Sequence, residues 1–146
     1  MNAPDPKRSP SPMAPSLEAW AAMSAAEQAR VLATLVPIPD HEALPLEGDA
    51  HIDAWMDANE ALRRWSGALE RPAYIGRRMT VYFPERVRFA PDLFVVLEAE
   101  PGERTTWVVN REGRNLDFVL EIHPGGPRKR AAARNVTRFA ALGIPE

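Results

Sequence analysis

The 146-residue sequence contains no cysteine. That excludes disulfides, thiolate zinc sites and cysteine nucleophiles together. No apolar run is long enough to span a bilayer, and the N-terminus lacks the apolar core of a signal peptide, so the expectation is a cytoplasmic protein. Charge of one sign is also missing. With 18 Lys and Arg against 20 Asp and Glu the net charge is −2, so no global field draws the molecule to nucleic acid or an anionic membrane. Any such attraction has to come from local clusters. Hydrophobic and charged fractions of 45% and 26% are ordinary for a globular domain, and the length is that of one domain able to bury a core.

Proline, by contrast, is abundant. Pro4, Pro6, Pro10, Pro12 and Pro15 make residues 1–15 read as a disordered tail, leaving 16–146 as the domain. Leu17, Trp20 and Ala21 begin a short apolar stripe. Ser24-Ala25-Ala26-Glu27 fits a capping box, and Val31, Leu32 and Leu35 continue one helical face toward Pro37. The next helix is expected after Gly48-Asp49, with Ile52, Trp55, Met56, Asn59, Leu62 and Trp65 inward. His51, at its start, reads as a surface residue or a cap. From Arg71 the pattern becomes short strands: Tyr74-Ile75, Met79 to Phe83, Leu93 to Leu97, Thr105 to Val109 and Phe118 to Ile122. A last helix carries Ala132, Val136, Phe139 and Ala140 as an apolar stripe and ends at Gly143.

Two carboxylates stand at the ends of these strands. Asp92 opens Leu93–Leu97 and shares a face with Phe94 and Val96. Glu121 shares a face with Val119 and His123. If the two strands are neighbours, both acids reach one point at the sheet's edge, where they repel and raise one another's pKa unless a cation intervenes. Oxygen donors without thiols favour Mg²⁺ or Mn²⁺ over zinc. The plainer alternative is that Asp92 caps a turn and Glu121 pairs with an arginine such as Arg128 or Arg88. Beyond the strand, Arg128, Lys129, Arg130, Arg134 and Arg138 lie within eleven residues that contain no acid. Arg130, Arg134 and Arg138 stack at i, i+4 and i+8, a repulsive spacing that a phosphate backbone would relieve. A solvated face is the alternative.

The runs Pro91-Asp92-Leu93-Phe94-Val95-Val96, Leu120-Glu121-Ile122-His123 and Asn135 through Gly143-Ile144-Pro145-Glu146 resemble the Uma-type restriction endonuclease family (domain of unknown function 820) of the PD-(D/E)XK nuclease superfamily. The likeness covers most of residues 17–146. It implies an α/β (α+β), restriction-endonuclease-like fold, a central mixed sheet flanked by helices. It also implies a Mg²⁺- or Mn²⁺-dependent DNA endonuclease, with Asp92 and Glu121 as metal ligands and the carbonyl of Ile122 as a third. Arg128, Arg130, Arg134 and Arg138 would hold the DNA backbone, and a two-fold homodimer would cut both strands. The sequence departs from the family pattern at several positions. His123 stands at the superfamily's lysine position, while Asn135 and Ala131 replace a lysine and an acid common in the following helix. Lys129 is the one lysine nearby. Arginine clamps phosphate without deprotonating water, so His123 or Lys129 is left to orient or deprotonate it. The family continues past Ile-Pro-Glu into an aromatic strand, so an unpaired sheet edge is expected here, in a chain that is truncated, degenerate or partner-dependent. These departures keep a second reading in play, a catalytically inactive nuclease-fold module that binds DNA or protein.

Overall fold

A computed structural model describes residues 11–39, 48–123 and 129–145, with the side chains of 129–131 left out. The Pro124-Gly125-Gly126 turn and Arg128 lie outside the described residues, as do the side chains of Lys129, Arg130 and Ala131. The elements run α1 (Leu17–Ala22), α2 (Ala25–Thr34), α3 (Gly48–Gly67), β1 (Ala73–Arg77), β2 (Thr80–Tyr82), β3 (Leu93–Leu97), β4 (Thr106–Val108), α4 (Val109–Glu112), β5 (Phe118–Leu120) and α5 (Lys129–Ala141). The chain is mixed α/β. None of the described helices is long and apolar enough to cross a membrane.

Local chemistry sets the boundaries. Ser24 begins α2 with a reciprocal capping box, its N–H donating to Glu27 Oε2 at 2.8 Å while its hydroxyl accepts from the Glu27 N–H. α5 ends in a Schellman turn, with Gly143 at φ 71° donating to the Ala140 carbonyl and Ile144 donating to that of Phe139. Ile144 itself is buried, so the turn also pins the helix to the core.

The strands form two ladders. β1, β3 and β5 pair antiparallel in the order β1-β3-β5, and β2 pairs parallel with β4. Arg78, at φ 45°, breaks the extended run between β1 and β2, so β2 leaves the first ladder for the second. Tyr74, Phe94 and Val96 face a core that also holds Val81, Phe89, Trp107, Leu116 and Ile144. Trp107 stacks on Tyr74 with ring centres 5.2 Å apart and meets the edge of Phe94 at 5.8 Å.

Four expectations are corrected. In α3, Ile52, Met56 and Trp65 are substantially exposed, while His51, Trp55, Asn59 and Leu62 turn inward. The buried arc is offset from the expected stripe because His51 goes in with it. In α5, Val136 is exposed and Ala132, Asn135, Phe139 and Leu142 form the inner face. The third correction is α4, a short helix within a stretch read as strand and turn. Finally, the N-terminal arm joins the fold before Pro15. Ala14 is 2% exposed, its carbonyl accepts from the Glu85 N–H at 2.9 Å, and Asn110 donates to the Pro15 carbonyl.

Gly76 lies opposite Phe94 in the β1–β3 register, and the Phe94 ring occupies the space a Cβ at position 76 would need. Gly76→Ala is therefore expected to lower the unfolding free energy by about 1–3 kcal/mol in urea titrations. The same change in a Phe94→Leu background should cost much less, and equal costs in the two backgrounds would refute the packing argument.

Candidate functional site

The β3–β5 register pairs Leu93 with Leu120 and Phe94 with Val119. Continued by one step, it sets Asp92 opposite Glu121, just outside the last paired residues. Directly opposed positions share a face and lie about 4.5–5.5 Å apart at Cβ. The two strands are thus neighbours, the condition on which the sequence argument for a shared carboxylate site rested.

Asp92 is held from several sides. Its Oδ2 accepts the Ile122 N–H at 2.8 Å and lies 3.5 Å from His51 Nε2. Its backbone carbonyl accepts the Trp55 indole N–H at 3.1 Å and the Arg78 N–H at 3.0 Å. The side chains of His51 and Asp92 are 8% and 12% exposed, so this polar cluster sits largely out of water. His51 and Trp55 are four residues apart on α3 and reach Asp92 from one helical face. The reading of His51 as a surface residue or cap fails, because α3 docks with this edge toward the strand ends. Only its i, i+4 spacing from Trp55 could have signalled this in the sequence.

Glu121 sits beside this clamp. Its pKa is pushed up to about 7, first by burial and then by the negative charge of Asp92; a hydrogen bond from the Asp92 N–H and the positive charge of Arg138 pull the other way. Among the described residues the cation facing Glu121 is Arg138; Arg128 lies outside them. Arg88 turns instead to the Tyr82 hydroxyl, 3.1 Å away. Asp92 is not a simple turn cap either, since its carboxylate binds the backbone of the neighbouring strand.

Other proposed site residues are less engaged. His123 is exposed past the end of β5 and makes no hydrogen bond or ion pair with the acid pair. Arg134 is exposed on α5, and Asn135 lies on that helix's inner face. The side chains of Lys129 and Arg130 and all of Arg128 lie outside the described residues.

Two opposed, partly buried carboxylates, one of them holding its proton to about pH 7, suit a hard divalent cation that would relieve their repulsion. Asp92 and Glu121 would hold it, with the Ile122 carbonyl as a further donor. Among the described residues, no three His, Asp or Glu side chains form a metal-binding group, so the protein's share of such a coordination sphere is small. Magnesium, which keeps several of its waters, tolerates that better than zinc does.

Because folded Glu121 holds its proton more tightly than the unfolded chain does, its contribution to stability is full below about pH 4.5 and is lost as pH rises through about 7. In EDTA, Glu121→Gln should therefore be more stable than wild type at pH 8, with the difference shrinking toward pH 5. Urea midpoints at the two pH values check this, and an equal or lower midpoint for the variant at pH 8 would contradict it. No protein family, curated protein or solved structure matches this chain.

Proposed function

We propose that the chain is a metal-dependent DNA endonuclease of the PD-(D/E)XK type, with a restriction-endonuclease-like fold, and that it hydrolyses phosphodiester bonds at Asp92 and Glu121. The observation that carries this reading is the clamped Asp92 opposite a Glu121 that resists ionisation. When bound, magnesium or manganese supplies charge neutralisation at a phosphoryl oxygen and a water of lowered pKa. The chain's own residues do the rest. The Ile122 N–H and His51 fix the Asp92 carboxylate, so one ligand position is set before any ion arrives. Arg138 and Arg134 present positive charge from α5 toward a phosphate backbone. His123, exposed past the strand end, or Lys129 orients or deprotonates the attacking water. A two-fold dimer would bring such a site to each strand of a duplex.

A second reading is a nuclease-fold module that binds DNA or protein without cutting. Its support is specific: Asn135 stands on the inner face of α5, His123 makes no hydrogen bond or ion pair with the acid pair, and no third acidic or imidazole ligand joins Asp92 and Glu121 among the described residues.

Nicking of supercoiled plasmid distinguishes the two. The first reading expects nicking in Mn²⁺ or Mg²⁺, none in EDTA, and a loss of roughly a hundredfold or more in Asp92→Ala and Glu121→Ala. Folded wild-type chain that binds DNA yet leaves the plasmid intact at high Mn²⁺ would establish the second reading instead.

A further inference from the structure

Along the edge of the sheet opposite β5 runs an open cleft of about 930 Å³. β1 bounds one side of it, and residues 101–105 with the end of α4 bound the other. β1 is the outermost strand of its ladder. Two bonds bracket the β1–β3 pairing, from the Glu98 N–H to the Pro72 carbonyl and from the Arg78 N–H to the Asp92 carbonyl. In an antiparallel pair the bonded positions alternate, so between these limits Tyr74 and Gly76 bond β3. Ala73, Ile75 and Arg77 therefore turn their backbone N–H and C=O groups outward, and among the described residues no other backbone pairs with them.

The side chains give the cleft a charge preference. Arg77, Arg104 and Arg111 line it together with Glu103 and Glu112. Glu112 is already taken up, by Arg104 through Nε at 3.1 Å and Nη2 at 3.2 Å and by Arg111 at 2.8 Å. Arg77 is exposed, and among the described residues no acid pairs with it. Tyr74, only 9% exposed, also lines the cleft, and among the described residues the acceptor for its O–H is the Met79 sulfur at 3.7 Å. A thioether is a weak acceptor, so this buried donor is poorly satisfied. Burial pushes the Tyr74 pKa up, while the charges of Arg104 and Arg77 pull it down, so both cations act on one hydroxyl.

We infer that the cleft takes an extended peptide segment, which adds as a strand to the outer edge of β1 and points an acidic side chain at Tyr74 and the arginines beside it. An edge that alternates donors and acceptors is matched by another extended backbone. A free anion satisfies the donors and is repelled by the carbonyls. Because β1 is five residues long and ends at the positive φ of Arg78, the docked segment is short. The net positive lining selects an acid within it, since Arg77 carries a charge that the protein leaves unpaired. The acid pair stands at β3 and β5, so this partner and the nuclease reading stand or fall separately.

The probe is a fluorescein-labelled, end-capped peptide of about seven residues, alternating threonine and valine with a central glutamate, titrated by anisotropy into the full chain. Saturable binding is expected with a Kd below about 1 mM. Arg77→Gln, Tyr74→Phe, or glutamine in place of the probe's glutamate should each weaken it by roughly three- to tenfold. Tyr74→Phe keeps the ring that stacks on Trp107, and Arg77 is exposed, so neither change removes core packing. Arg30→Gln, on α2, should leave binding unchanged. Strand addition is read from N-methylation: methyl groups on one alternate set of the probe's amides should abolish binding, and on the other set should spare it. Wild type that shows no saturable binding, or equal binding of the two methylated probes, would overturn the added strand. Binding indifferent to Arg77, Tyr74 and the probe's glutamate would overturn the acidic partner. Acetate that displaces the probe as effectively as unlabelled peptide does, at matched ionic strength, would reassign the cleft to a small carboxylate and overturn the peptide.

Discussion

Asp92 is the junction on which the working end of this molecule depends. Its carbonyl receives hydrogen bonds from the Trp55 indole on α3 and from the Arg78 amide in the β1–β2 turn. Its carboxylate receives the Ile122 amide just past β5 and lies against His51, again on α3. One residue thus ties a helix, a turn and a strand end together at the mouth of the sheet. A carboxylate this far out of water is tolerable only because hydrogen bonds to it replace those lost to solvent. Removing any one of them leaves the others holding an imperfectly compensated charge, so the cluster behaves as a unit.

Around that junction the charge is deliberately unbalanced. Glu121 is held where burial and Asp92 both disfavour its ionisation, while the guanidinium of Arg138 faces it without a close ion pair. A fold optimised for stability alone would pair these groups or replace them with apolar side chains. Clusters whose electrostatics stay unresolved in the protein alone are where ions and ligands tend to bind. α5 adds to the imbalance. It has no acid to neutralise its arginines, and its C-terminal Schellman turn, anchored by buried Ile144, fixes the helix in position despite their mutual repulsion.

Much of the fold could be read from the chain. The capping box at Ser24, the glycine stop at Gly143 and the apolar run of β3 are local signals, each set by chemistry within a few residues. That Asp92 and Glu121 stand at strand ends was legible as well, but that those two strands are neighbours was a condition only the register could supply. What escaped depends on contacts between distant segments. Apolar periodicity predicted which residues of α3 would turn inward, but the Trp55 hydrogen bond to Asp92 and the burial of His51 against the same residue go with a helix turned so that Ile52, Met56 and Trp65 meet solvent. Arg138 looked like one of three equivalent arginines. Only packing against Phe89 and Val87 sets it apart from Arg134. The split of the strands into two ladders turns on one positive φ at Arg78, for which an arginine gives no hint.

The indole of Trp55 reaches the backbone of the very residue whose side chain forms the candidate site. α3 docking and carboxylate presentation are therefore a single local equilibrium. Partial opening of the molecule, in which this helix lifts while the buried sheet stays intact, would dissolve the site well before the core melts. The temperature at which the strand-end cluster is lost would then be set by how firmly one helix is seated, and less by the aromatic core beneath it.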